Sequence, residues 1–231
     1  MAQESFPDKA PLGGKDEQAY RIKTSGIIPV FFHPETELAS NVLDACYAGG
    51  ARAFEFTHRG KEAPEVFNHL LHHARKYPDL VLGIGTILSE KQALTYLKAG
   101  AHFIVSPVFN PALAEVCRHH QALWIPGCAT PTEIFHAQAA GASIIKIFPA
   151  SALGPSFIEA VLQVIPGLSL MPTGGISCGA NELEAWFKAG AACIGLGSSL
   201  LARKADGQFD LTAIRENVTS AVKVARKYQQ G

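Results

Sequence analysis

The sequence predicts an α/β fold, a single (β/α)8 TIM barrel. Three observations predict it: short apolar runs in series, helix-period stretches between them, and a recurring Ala-Gly-small tripeptide. The tripeptide stands at Ala48-Gly49-Gly50, Ala99-Gly100-Ala101, Ala140-Gly141-Ala142 and Ala189-Gly190-Ala191. Each copy follows an amphipathic stretch and precedes an apolar run. This reads as a helix ending in glycine, which takes the left-handed C′ conformation without a Cβ penalty, and then a buried parallel strand.

The expected strands are residues 27–32, 53–57, 81–86, 103–107, 123–127, 144–149, 168–174 and 193–198. They recur at roughly 20 to 25 residues, the spacing of βαβ units. Eight such units in 231 residues favour closure into a barrel over an open sheet. The helices between them are expected at 37–48, 64–76, 90–99, 111–120, 131–140, 155–164 and 181–189, with a closing helix over 211–228. Pro64, Pro111, Pro131 and Pro155 stand near helix starts, where the missing N–H costs nothing. Residues 1–18 are expected to be a polar arm or short helix, and residues 19–231 a single barrel domain.

Composition narrows the function classes. Twenty basic residues balance twenty acidic ones, so nucleic acid and anionic membranes are not expected partners. No apolar stretch approaches the ~18 residues of a membrane span. The polar first residues carry no apolar segment of a secretory leader. Cys46, Cys117, Cys128, Cys178 and Cys193 are odd in number and scattered, which reads as free thiols in the cytoplasm.

In this architecture ligands bind at the C-terminal strand ends. Lys146 interrupts the apolar run Ile144-Ile145-Lys146-Ile147-Phe148. Such a strand is buried on both faces, burial disfavours the charged form of an amine, and a neutral amine attacks ketones. Glu55 lies between two phenylalanines in Ala53-Phe54-Glu55-Phe56-Thr57. Period-two alternation puts Ala53, Glu55 and Thr57 in the barrel lumen and both phenylalanines toward the helices. An acid beside an amine nucleophile supplies the proton transfers of Schiff-base chemistry. The plain structural alternative is a Lys–Glu ion pair, a weak stabiliser when buried.

Arg59, just past the second strand, suits bidentate carboxylate binding, or is simply a surface arginine. Thr86 ends Gly83-Ile84-Gly85-Thr86, where its hydroxyl meets a ligand that the glycines allow near the backbone, or caps a helix. Gly174-Gly175 and Gly197-Ser198 close the last two strands. Glycine turns there, feeding a short helix N-terminus, form the recurrent barrel phosphate site. His33 and His58 lie near the mouth and are candidates to touch substrate. His69, His72, His73, His119 and His120 fall on outer helices without a metal-ligand pattern, so no metal is expected.

The ordered motifs Ile28-Pro29-Val30, Glu55-Phe56-Thr57-His58-Arg59, Gly83-Ile84-Gly85-Thr86, Ile104-Val105-Ser106-Pro107, Ile125-Pro126-Gly127, Lys146-Ile147-Phe148-Pro149-Ala150, Pro172-Thr173-Gly174-Gly175-Ile176 and Gly197-Ser198 carry a family resemblance. The chain resembles the 2-dehydro-3-deoxyphosphogluconate (KDPG) / 4-hydroxy-2-oxoglutarate (KHG) aldolases over residues 27–201. The resemblance implies a class I aldolase cleaving a keto-deoxy sugar acid phosphate to pyruvate and an aldehyde. It implies Lys146 as the Schiff-base lysine and Glu55 as the acid/base. Arg59, Thr86, Pro107, Phe148 and Thr173 then contact substrate, and Gly174, Gly175, Gly197 and Ser198 hold the phosphate. It further implies no cofactor and a homotrimer. His58, Cys128 and Ser151 depart from the family's usual residues and are expected to line the mouth. The rival readings are a phosphate-binding barrel isomerase or epimerase, and a non-catalytic binder of sugar acid phosphates.

Overall fold

The computed structural model describes residues 13–229. Eight parallel strands alternate with helices. They are β1 (Ile27–Phe31), β2 (Ala53–Thr57), β3 (Val81–Gly85), β4 (Phe103–Ser106), β5 (Leu123–Cys128), β6 (Ile145–Ile147), β7 (Leu170–Pro172) and β8 (Ile194–Leu196). The helices are α1 (Lys15–Ser25), α2 (Thr36–Ala48), α3 (Ala63–His73), α4 (Glu90–Ala99), α5 (Pro111–His119), α6 (Pro131–Ala139), α7 (Ala150–Leu153), α8 (Pro155–Val164), α9 (Ala180–Lys188) and α10 (Leu211–Arg226).

The strand order is β7-β6-β5-β4-β3-β2-β1-β8, and a single Thr173–Gly195 bridge joins the two ends. The expected barrel is therefore present but nearly rather than fully laddered at this seam. The last three strands are three residues each, shorter than expected. The Phe148-Pro149 peptide directly after β6 is cis, and Gly174 and Gly175, both at positive φ, end the run after β7. Gly100, Gly141 and Gly190 take the left-handed conformation expected of the tripeptide, but in the first copy Gly50 takes it rather than Gly49.

The apolar side chains divide into two clusters, as period-two alternation requires. Phe54, Phe56, Ile145 and Ile147 pack outward against the helices. Ile28, Ala53, Val81, Phe103, Val105, Leu123, Ile125, Ile144, Met171 and Cys193 fill the lumen, together with Ala19 and Ile22 of α1. Helix α1 therefore closes the N-terminal end of the barrel. Most of the expected polar arm lies outside the described residues, and its residues 15–18 form the first turn of α1.

Candidate active site

The lumen changes from apolar to polar where Lys146 and Glu55 enter it. Lys146 occupies the middle of β6 and keeps 6% of its surface, and Glu55, at the middle of β2, keeps 1%. Their side chains meet inside the barrel, Nζ to Oε1 3.5 Å. That is ion-pair range but longer than a hydrogen bond. Neither Glu55 oxygen has a hydrogen-bond partner among the described residues. Buried carboxylates are normally hydrogen-bonded, so one without a partner marks a candidate functional group.

Glycines shape this chamber. A Cβ on Gly85 would lie 1.8 Å from Glu55 Oε1, and one on Gly83 would lie 2.4 Å from the Phe103 ring. The two β3 glycines therefore admit an acid above and an aromatic below, rather than opening the backbone to a ligand as expected. Gly127 is the register partner of Lys146, and a Cβ there would lie 2.3 Å from the Pro107 carbonyl oxygen. This sets Pro107 beside the lysine's strand. Sequence reasoning gives Gly85 only a part in ligand approach and Gly127 no part in the chamber, because a glycine records only that something is missing.

At the rim, Thr86 holds φ at 63°, a left-handed conformation that costs a β-branched residue about 1–3 kcal/mol. Its hydroxyl makes no hydrogen bond among the described residues. The Arg59 side chain is exposed, and its guanidinium pairs with no described group. Phe148, 37% exposed, lies with its ring centre 5.5 Å from Lys146 Nζ. The same ring faces Gly174, where a Cβ would lie 3.0 Å from it. Phe148 thus spans the gap between the amine and the first glycine turn.

Thr173 is buried against Gly195, where a Cβ would lie 2.3 Å from its hydroxyl. Gly174 and Gly175 form the turn after β7, and Gly197 with exposed Ser198 begins the turn after β8. The expected short helix after these turns is absent among the described residues: residues 198–200 form a turn only. The N–H groups of Gly175 and Ser198 donate to no described residue and remain available to an anion.

Three mouth candidates are placed elsewhere. His58, three residues past Glu55, faces the helix layer, where its Nδ1 shares a 2.6 Å hydrogen bond with the Tyr96 hydroxyl. Burial pulls the His58 ring below its ordinary range and pushes Tyr96 up to about 12. Cys128 packs outward at 2% exposure, and burial pushes its thiol up to about 12. His33 accepts the Glu35 N–H and faces Phe31 and Phe209. Ser151 alone of the three departures sits at the glycine turns: its N–H bonds Gly174 O, and a Cβ on Gly175 would lie 2.3 Å from its hydroxyl.

An amine and an unbonded acid, facing each other in a nearly closed barrel beneath two glycine turns, are the arrangement of an enzyme of the lysine-nucleophile class. Known proteins agree with this class. The family described as KDPG and KHG aldolase matches residues 19–216. The 2-dehydro-3-deoxy-phosphogluconate aldolase of Treponema pallidum is 37% identical over 151 residues, 65% of this chain and 70% of that protein. The 2-dehydro-3-deoxy-6-phosphogalactonate aldolase of Escherichia coli is 37% identical over 121 residues, 52% of this chain and 58% of that protein. The crystal structure of KDPG aldolase from Legionella pneumophila, with pyruvate captured as a covalent carbinolamine intermediate, superposes with a TM-score of 0.73. It is 27% identical, covering 91% of this chain and 97% of that one. The chain belongs to the KDPG and KHG aldolase family.

Proposed function

We propose that this aldolase cleaves a 2-keto-3-deoxy-6-phospho sugar acid to pyruvate and glyceraldehyde 3-phosphate through a Schiff base on Lys146. The observation that carries the reading is the 3.5 Å approach of Lys146 Nζ to a Glu55 carboxylate that no other group engages. Arg59 and Thr86 hold the substrate carboxylate, and Pro107 and Phe148 wall the pyruvyl half. The Lys146 amine adds to the C2 ketone, and Glu55 delivers the proton that lets the carbinolamine lose water as the iminium forms. The C3–C4 electron pair then flows into the iminium as Glu55 takes the proton of the C4 hydroxyl. That step leaves an enamine and frees the aldehyde. Protonation at C3 and hydrolysis return pyruvate and the free amine. Thr173 faces the distal hydroxyls, and Gly174, Gly175, Gly197 and Ser198 bind the phosphate through backbone N–H groups and a hydroxyl.

The family's names include gluconate and galactonate types and 4-hydroxy-2-oxoglutarate, which differ in the C4 configuration and the distal group. The free N–H groups of the turns favour the phosphorylated acids. Borohydride reduction in the presence of pyruvate, followed by peptide mass spectrometry, tests the reading. The expected result is a reduced pyruvate adduct on the Lys146 peptide and none in Lys146→Ala. An unmodified Lys146 would return the chain to the isomerase or binding-protein readings.

The enzyme is further proposed to be a cytoplasmic homotrimer. Leu88, Val108 and Phe135 stay 53%, 50% and 58% exposed on loops and a helix around the β3–β6 side, apolar surface suited to burial between copies. Light scattering should give about three times the 24.6 kDa chain mass. Among the described residues no helix is long and apolar enough to cross a membrane. All five cysteines are unpaired thiols, which fits a reducing compartment.

A further inference from the structure

The barrel is least tied where the two glycine turns meet. β7 and β8 are the ends of the sheet order, three residues each; the Ala192 N–H bonds Leu170 O at 2.9 Å where they begin, and the Thr173–Gly195 bridge is their last backbone pairing among the described residues. Beyond that bridge no ladder fixes the distance between the turn after β7 and the turn after β8. Two side chains do so instead. Ser199, next to Ser198, donates its hydroxyl to the carbonyl of Ile176, next to Gly175, at 2.9 Å. Cys178 returns the contact, its thiol donating to the carbonyl of Ser199 at 3.0 Å. The two bonds run in opposite directions between the same two turns, so together they fix both separation and relative rotation. Both side chains are partly buried, and Cys178 is the one cysteine of the five that is not fully buried. The chemistry at Lys146 uses neither group.

We propose that Cys178 and Ser199 are positioning residues that clamp the open β7/β8 seam. Held this way, the Gly174-Gly175 and Gly197-Ser198 turns converge on one phosphate. The proposal rests on the phosphate reading given above and assigns the cradle's precision to two side chains that do not touch the ligand. A thiol is a weak donor, so a hydroxyl in its place keeps the direction of the bond. Cys178→Ser is therefore the conservative variant.

The test is kinetic. A keto-deoxy acid 6-phosphate and its unphosphorylated counterpart are compared in the wild type, Ser199→Ala, Cys178→Ala and Cys178→Ser, with inorganic phosphate as competing inhibitor. Each alanine variant should lose about 5- to 10-fold in kcat/KM for the phosphorylated acid, mostly through KM, the scale of one partly buried hydrogen bond. The inhibition constant of phosphate should rise by a similar factor. Activity on the unphosphorylated acid should fall no more than about twofold, and Cys178→Ser should restore most of the loss. An unchanged ratio between the two substrates overturns the clamp. So does an equal loss on both, with failure of borohydride to trap pyruvate on Lys146, because that marks general damage to the barrel. A wild type without preference for the phosphorylated acid would instead remove the phosphate reading, and the clamp with it.

Discussion

Gly85→Ala offers a test of the chamber that leaves both reacting side chains in the sequence. Gly85 lies in β3 outside the left-handed region, so alanine fits its backbone without strain. The added methyl would lie 1.8 Å from Glu55 Oε1, and ordinary contact begins at 3.4 Å, so the carboxylate must retreat by about 1.6 Å. The methyl would also meet Glu55 Cδ at 2.6 Å and Cγ at 2.9 Å, so the whole side chain must swing, and the fold should survive with an overpacking loss of about 1–3 kcal/mol. Proton transfer is less forgiving. A misplacement of about 1 Å is enough for a loss of about 100-fold, and kcat should fall by at least that factor. The assay is pyruvate release from the phosphorylated acid, alongside circular dichroism and borohydride trapping. Slow adduct formation on an intact Lys146, in a folded protein, is the expected pattern. A kcat within threefold of wild type would refute the view that Glu55 transfers protons from its present position.

Three further expectations follow from the same geometry. Thr86→Gly should relieve the positive φ and raise stability by up to about 1 kcal/mol, after allowing for glycine's extra freedom in the unfolded chain. Its KM for the keto acid should rise, as chemical denaturation and steady-state kinetics would measure. Arg59→Gln should leave the melting temperature within about 1 °C, because the exposed guanidinium makes no hydrogen bond or ion pair among the described residues. It should raise KM about 10- to 100-fold through loss of a charge-assisted carboxylate contact. His102, whose Nδ1 accepts the Leu82 N–H at 2.9 Å, is held by burial at about 4 instead of its usual 6.5. Above pH 6.5 the ring is neutral in both the folded and unfolded chain, so it adds no pH dependence. Between 6.5 and about 4 only the unfolded chain takes up the proton, so stability falls as pH falls and levels off below. The ring keeps some exposure, and the expected loss is about 1–3 kcal/mol rather than the full linkage value. Urea unfolding at pH 7 and pH 4.5 should show this loss in wild type and most of it missing in His102→Asn, which keeps an acceptor.

Lys146 and Glu55 were legible because each breaks an apolar run, and the parity of β2 and β6 put both in the lumen. The same parity already placed His58 and Cys128 outside. His58 is an odd number of residues past Glu55, and Cys128 is one past the lumen-facing Gly127 that pairs with Lys146. Counting along the strands would have removed them from the mouth. Helix α1 was not legible as a stopper, because its stretch is largely polar and offers only Ala19 and Ile22 to the lumen. The role of those two residues exists only once the strands surround them. The contact of Cys178 with Ser199 spans 21 residues with no periodic signal, so nothing local announces it. The short β6, β7 and β8 were overextended because residues such as Phe148 and Thr173 look like strand but serve the rim.

The stopper at the base also governs traffic. A well with one opening empties in the reverse order of its filling. In the proposed reading the half of the substrate bonded to Lys146 lies deep, and the phosphate-bearing half lies across its exit. Release of the aldehyde must come before release of the ketone, and in the condensation direction pyruvate must be seated before any aldehyde can join it.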